Sequence, residues 1–510
     1  MRSSHLSAIA SLVLLLGCPS GGVTPQDEPR KDDTGPPGDS EPEDSGHPAT
    51  GTDLLYADIK LVGEAEGDYA GLGCRMVGDI DGDGLADVFV GAPGSDEAFS
   101  DAGKAYLVWG RHLRGRASVF LEEADVMLLG ESLGDGAGGR VAAAGNIDGD
   151  RVPDLLVAAY ENDDGAGNAG KVYLLRGADL AAGSRSLADA DWTFVGQAGA
   201  HQLGVSVAGG GDVDGDGLDD ILLGALGSDM QGFVHVVLGS AVGSGSLPIS
   251  MANFTLAGEG EGDNAGISSD IAGDVDGDGL ADLVVGAFGR DAAGQASGGA
   301  YIVLGSEIDA VDASDLGYAS HRFTGQAAGD MAGFSVAGAG DVDGDGLEDV
   351  LIGADCNGDG GDLAGKAYLV LSGTLGETSS GSLALADVQL IGESAGDRAG
   401  GSVDAAGDVD GDARGDVLVG ACYNSQGSSN EGKAYLVLGS RLVLGGSVDL
   451  GEVDDAWLGI STGDLAGRTV AGGGDIDGDG IFDLLIGATH ANETGDNDVG
   501  KVFVILGGGL

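Results

Sequence analysis

The chain is 510 residues long, with 102 glycines, 5% aromatic residues, and 84 acidic against 23 basic residues, for a formal net charge of −61. A charge of that sign and size excludes nucleic acid and anionic membrane surfaces as partners, because both would repel it. So much glycine penalises helices through backbone entropy and favours tight turns and close-packed strands, so almost no helix is expected.

The chain opens with Arg2, an apolar run from Leu6 to Leu16, and the tetrapeptide Leu15-Leu16-Gly17-Cys18. This is the order and size of a secretory signal, and the run is too short to span a bilayer as a mature helix. Leu-Leu-Gly-Cys resembles the bacterial lipobox. The resemblance implies that residues 1–18 are a lipoprotein signal and that Cys18 is lipidated; it places the protein in the bacterial envelope, at the outer membrane or cell surface, with plain secretion as the alternative. Residues 19–53 are rich in Pro, Gly, Asp, Glu and Ser, cannot bury a core, and read as a disordered acidic tether. Of the other cysteines, Cys356 and Cys422 hold nearly matching places in adjacent repeats, which leaves a bridge between them open. Small buried thiols are the simpler reading for these two and Cys74, and no disulfide is expected.

From residue 54 to residue 510 the chain repeats itself. An Asp-x-Asp-x-Asp-Gly-x-x-Asp element begins at Asp79, Asn146, Asp212, Asp274, Asp341, Asp408 and Asp475, at spacings of 67, 66, 62, 67, 67 and 67 residues. Seven units of this size form an array that shares a core. Within a unit an alternating segment such as Ile59-Lys60-Leu61-Val62-Gly63 leads through a Gly-Asp turn into a small-residue stretch such as Ser335-Val336-Ala337-Gly338-Ala339-Gly340 and then the acidic loop. A short apolar run (Asp282-Leu283-Val284-Val285-Gly286-Ala287), a polar loop and a segment such as Gly365-Lys366-Ala367-Tyr368-Leu369-Val370-Leu371 follow. All four pieces are strand-length and bounded by turn signals, which is the make-up of a propeller blade. The fold expected is all-β: a seven-bladed β-propeller of four-stranded antiparallel blades, with the small-residue strand lining the channel. The chain stops just after the Gly500–Leu506 strand, so the last blade lacks its outer strand and segment 59–63 is left over to supply it. A β-helix or open array is the alternative, but it would leave exposed strand edges.

Carboxylates at alternate positions of a tight loop aim several oxygens at one point, as Ca²⁺ requires. In the first unit the expected ligands are Asp79, Asp81, Asp83 and Asp87 with the backbone carbonyl of Leu85, and Gly84 makes the turn. The second set is Asn146, Asp148, Asp150, Val152 and Asp154; the third Asp212, Asp214, Asp216, Leu218 and Asp220; the fourth Asp274, Asp276, Asp278, Leu280 and Asp282. The fifth is Asp341, Asp343, Asp345, Leu347 and Asp349; the sixth Asp408, Asp410, Asp412, Arg414 and Asp416; the seventh Asp475, Asp477, Asp479, Ile481 and Asp483. Up to seven Ca²⁺ ions are therefore expected. An EF-hand opens the same way but closes with a Glu at its twelfth position, where the first unit has Val90. Arg151 and Ala413 replace the turn glycine in the second and sixth loops, which are expected to bind more weakly.

The repeat resembles the FG-GAP repeat of the integrin α-subunit N-terminal propeller and of many bacterial exported proteins. Gly91-Ala92-Pro93 matches the GAP part in full; elsewhere its Pro becomes Tyr160, Leu226, Phe288, Asp355, Cys422 or Thr489, and the Phe-Gly part reads Ala70-Gly71 or Leu203-Gly204. The resemblance implies that each calcium loop joins the first and second strands of a blade on the lower face, that ligands meet the upper-face loops, and that the protein serves adhesion.

Motifs that suggest catalysis fail in context. Gly130-Glu131-Ser132-Leu133-Gly134, Gly392-Glu393-Ser394-Ala395-Gly396 and Gly459-Ile460-Ser461-Thr462-Gly463 fit Gly-x-Ser-x-Gly, but other units put Ala65, Gly260 or Ala327 at the serine position and no helix follows. Gly365-Lys366, Gly432-Lys433 and Gly500-Lys501 imitate the end of a phosphate loop but start strands. His201, standing where other units have Asp68, Asp135 or Asp263, reads as a turn residue, and Tyr106, Tyr173, Tyr301, Tyr368 and Tyr435 as a packing layer. The function expected is a calcium-binding, envelope-anchored binding or adhesion module and not an enzyme. Its expected partner is an extracellular protein or glycan, its contact with membrane is through the lipid only, and it is expected to be a monomer. A secreted polysaccharide lyase or hydrolase with a site in the channel or upper loops is the rival, and a calcium-hardened structural stalk a third reading.

Overall fold

A computed structural model describes residues 52–508 except 244, 309–314, 377–378, 454 and 494–496. The signal, Cys18 and all but the last two residues of the expected tether lie outside the described residues. The described part forms seven sheets in ring order. Each is built as the sequence predicts. In the first, strands 73–76, 88–92, 104–108 and 126–129 pair antiparallel in that order from the inside outward. Described helices are single turns of three or four residues.

The ring closes through the leftover segment. Residues 59–62 pair antiparallel with 501–505 as Ile59↔Val504 and Leu61↔Val502, and so become the outer strand of the seventh sheet. Leu61 is fully buried there. The pairing welds the two ends of the array, and a closed ring has only short edges to protect.

The blades carry one strand more than the sequence predicts. Among the described residues six of the seven sheets are five-stranded, and in five of these the extra strand comes from the connector after the next blade's third strand. Gly183–Ser186, for example, runs parallel to Val126–Leu129 along the outer edge of the first blade. Thr52 and Asp53, at the end of the expected tether, do the same against Trp457 and Leu458 in the sixth. These strands satisfy the edge N–H and C=O groups that would otherwise invite another chain. Gly183-Ser184-Arg185-Ser186 has no apolar alternation, which is why no strand was expected there.

Inside each blade the second and third strands are buried along their whole length, save for half-buried Phe233 at the start of the third blade's third strand, and the core consists of apolar side chains meeting between adjacent sheets. The innermost strands use small residues because neighbouring backbones nearly touch: a Cβ on Gly338 would sit 3.0 Å from Ala272 of the preceding blade. Across the channel Arg75 of the first blade donates to Asp404 of the sixth at 2.8 Å and to the carbonyl of Val470 in the seventh at 3.2 Å. Cys74 and Cys422 are free and buried, whereas Cys356 is disulfide-bonded, so Cys356 and Cys422 are not bridged to each other and the expectation that no disulfide forms is overturned.

Candidate metal centres

Every acidic loop joins the innermost strand of its blade to the second strand, so all seven emerge at one end of the ring. The first aspartate organises the loop. Asp79 Oδ1 accepts N–H groups from Gly82 at 2.7 Å and Asp83 at 3.0 Å, and its Oδ2 accepts from Gly84 at 2.7 Å. Asp212, Asp274, Asp341 and Asp408 repeat the pattern. The sixth position is left-handed throughout, with φ of +88° at Gly84, +76° at Arg151 and +68° at Ala413. Two loops therefore hold a side chain in a conformation that suits glycine.

The structure brings together the first, third and ninth positions of the motif. Asp79, Asp81 and Asp87 offer carboxylate oxygens within 4.8 Å of one another, as do Asp212, Asp214 and Asp220; Asp274, Asp276 and Asp282; Asp341, Asp343 and Asp349; and Asp408, Asp410 and Asp416. Fifth-position carboxylates are outside these trios. Asp83 Oδ1 instead accepts the Leu85 N–H at 3.0 Å, and Asp278 that of Leu280 at 2.9 Å. A set of hard oxygens at this separation suits an oxygen-seeking divalent cation, and like charges so close are costly without one.

The ninth aspartate has a second task that its spacing does not reveal. Asp282 is fully buried. Its Oδ2 accepts the Val275 N–H at 2.7 Å and its Oδ1 the Gly305 N–H at 2.8 Å, tying the acidic loop to the turn after the third strand. Asp87, Asp154, Asp220, Asp349, Asp416 and Asp483 make the same two bonds. Burial pushes Asp87, Asp282 and Asp349 up to about 7; the two N–H donors oppose this and the other loop carboxylates add to it.

Two loops also carry a cation of their own. In the second blade, where Asn146 replaces the first aspartate, the Arg176 guanidinium pairs with Asp148 and lies 3.8 Å from Asp150. In the first, Arg111 pairs with Asp81 and lies 3.7 Å from Asp83.

The opposite end of the ring holds a recurrent network of which the sequence shows only the strand starts and the tyrosine layer. Lys104, Lys171, Lys366 and Lys433 are buried, each over the ring of the tyrosine two residues on, at 4.7 to 5.2 Å from its centroid. Their ammonium groups meet acids of the upper loops: Lys104 meets Glu64 at 2.7 Å, Lys171 meets Asp164 at 2.7 Å and Lys366 meets Asp359 at 2.6 Å. The fourth blade has Gly299 at the lysine position, and Arg290 from the adjacent loop replaces the lysine, pairing with Glu259 at 2.6 Å over Tyr301. Loops of adjacent blades interlock here, with Gly134 N–H donating to Ser100 at 2.9 Å and Ala137 N–H to Ala102 at 2.9 Å.

The FG-GAP repeat family model matches residues 76–108, 137–175, 203–237 and 466–505. Among curated proteins the chain is 32% identical to integrin alpha-PS5 of Drosophila melanogaster over 169 residues, covering 33% of this chain and 16% of that protein. It is 30% identical to integrin alpha-V of Gallus gallus over 223 residues, 42% of this chain and 20% of that one. Against integrin alpha-IIb of Homo sapiens it is 34% identical over 176 residues, 33% of this chain and 16% of that one. The chain thus spans a fifth or less of the length of these relatives.

Proposed function

From a chain that carries FG-GAP repeats, is homologous to integrin α chains and folds as a seven-bladed propeller, we propose a calcium-loaded binding or adhesion module. The observation that carries this reading is the repeated Asp trio on one end of the ring, five times with the same three positions within 4.8 Å. Ca²⁺ fits the all-oxygen donors better than a softer ion. Its binding would relieve the carboxylate repulsion and lock the lower turns, while the interlocked loops of the upper end stay free to meet a partner. Up to seven ions bind, with the second and sixth loops weakest: the second lacks one carboxylate and pairs with Arg176, and both carry a strained sixth position.

The partner is a protein or glycan outside the cell, met by the loops near 64–71 and its repeats and those near 94–102, 161–169, 289–298, 356–364, 423–431 and 490–499; variable polar loops on a rigid scaffold commonly carry recognition. Export and anchoring through Cys18 are part of the proposal. The acidic surface favours a basic or cation-bridged ligand. The rival enzyme reading gains nothing from the buried lysines, whose ammonium groups are engaged by loop acids.

Equilibrium dialysis with ⁴⁵Ca²⁺, paired with melting in chelator, tests the calcium reading. Several bound ions and a large drop in melting temperature on chelation are expected; an unchanged transition would refute it. For the binding face, replacing 423–431 by the short third-blade loop 227–232 should leave calcium-dependent melting intact and abolish retention of the ligand. Loss of retention only on altering the lower loops would put the site on the other end.

A further inference from the structure

The third blade departs from the upper-end network in three positions at once. Where the other six units have Asp68, Asp135, Asp263, Asp330, Asp397 and Asp464, it has His201. At the Tyr106 position it has His235, and at the Lys104 position Phe233. The acid, the phenol and the ammonium are thus replaced by two imidazoles and a phenyl ring. The two imidazole centroids are 5.7 Å apart, and the Phe233 ring lies 5.7 Å from His201 and 6.4 Å from His235.

Both imidazoles keep a nitrogen for which the fold supplies no partner. His235 is 5% exposed, and its Nδ1 meets Thr255 Oγ1 on the neighbouring outer strand at 2.9 Å. Nε2 is buried without a hydrogen-bond partner among the described residues, and in the tautomer that donates Nδ1–H to that hydroxyl it is a bare lone pair. His201 Nδ1 is likewise buried and unpartnered among them. Burial lowers His235 to about 3. Unsatisfied buried nitrogens cost free energy, and two of them on adjacent rings call for a common acceptor of lone pairs.

We propose that His201 and His235 form a binding site for a late first-row transition-metal ion, Cu²⁺ or Zn²⁺, on the upper end of the third blade. Imidazole is the ligand these ions share, whereas the acidic loops at the other end suit hard cations. The spacing fits: nitrogen bound at ~2.0–2.1 Å puts a ring centroid ~3.2 Å from the ion, so two rings on one ion lie ~5.2 Å apart at a tetrahedral angle and ~6.4 Å apart when linear. The hydrogen bond between Nδ1 and Thr255 Oγ1 is the kind of support that orients a ligating histidine and leaves Nε2 to bind. His201, half-buried on the surface loop, gives the ion its way in, and water completes the shell.

The test uses the full chain in excess Ca²⁺, so that the acidic loops are filled, titrated with Zn²⁺ by calorimetry and with Cu²⁺ by electron paramagnetic resonance. One equivalent beyond the calcium sites is expected, with two nitrogens in the Cu²⁺ spectrum. His201→Ala and His235→Phe should each weaken that equivalent by about a hundredfold or more, and Thr255→Val by about tenfold, with calcium-dependent melting retained. His201→Ala alters only a surface loop and so reports even where His235→Phe perturbs the core. No uptake in excess Ca²⁺, or uptake that His201→Ala leaves unchanged, would overturn the proposal.

Discussion

Two substitutions within the fourth acidic loop separate the ion's contribution from the fold's. Asp276 is exposed and its Oδ1 accepts one loop N–H, from Asp278 at 3.0 Å, a bond that asparagine can keep. Asp276→Asn should therefore cost no more than about 0.5 kcal/mol in chelator, as surface changes do. At a Ca²⁺ concentration a hundred times the site's dissociation constant, a filled site adds about 2.7 kcal/mol, and the variant forfeits most of it. Asp282 is different, because its carboxylate holds the N–H groups of Val275 and Gly305 in the core. Asp282→Ala orphans both donors at about 1–3 kcal/mol each, so a loss of roughly 2–6 kcal/mol is expected with or without calcium. Urea unfolding of both variants in chelator and in excess Ca²⁺ gives the four numbers. Equal deficits for Asp276→Asn in the two conditions would refute the assignment of that carboxylate to an ion, and a silent Asp282→Ala in chelator would refute the buried tie.

Arg151→Gly and Ala413→Gly relieve left-handed backbone at φ of +76° and +68°, and each should raise stability by about 1 kcal/mol in urea and tighten calcium binding by its own loop. Arg176→Ala removes the guanidinium that pairs with Asp148 and should strengthen calcium binding at the second loop, seen in dialysis as a gain in occupancy at limiting Ca²⁺. Leu61→Ala, in the strand that closes the ring, should cost about 2–5 kcal/mol, and a loss under 1 kcal/mol would mean the closure matters little. Burial raises Asp68, Asp135, Asp397 and Asp464 to about 6, so the fold binds their protons more tightly than the unfolded chain does. Their contribution is then fullest below about pH 4 and lost as the pH rises through about 6. In chelator, acidification from pH 7 to pH 5 should raise the urea midpoint, against a smaller opposing effect from His235 below about pH 6.5; a falling midpoint would contradict the sign.

Periodicity alone determined much of this protein. A loop motif recurring at an almost constant interval, between strand-length pieces of fixed order, specifies the number of blades, their inner-to-outer strand order and the need for residues 59–62 to close the ring, because those are local patterns and chain-length arithmetic. It also singled out the carboxylates, since alternation in a tight loop aims side chains at one point. Spacing does not tell how a carboxylate divides its two oxygens between an ion and the backbone. That Asp282 is a buried tie was decided by the turn after the third strand, which folds back over the loop from 23 residues further along, while Asp83 spends an oxygen on the N–H of Leu85 within its own loop. The edge strand Gly183–Ser186 was hidden for a related reason: its stability comes from a neighbour's unpaired backbone, not from its own side chains. His201 and His235 are 34 residues apart and each looks like an isolated exception to its repeat. Only the pairing of third and outer strands, and the loop that folds over them, sets the two rings 5.7 Å apart, each with a buried nitrogen that has no partner among the described residues.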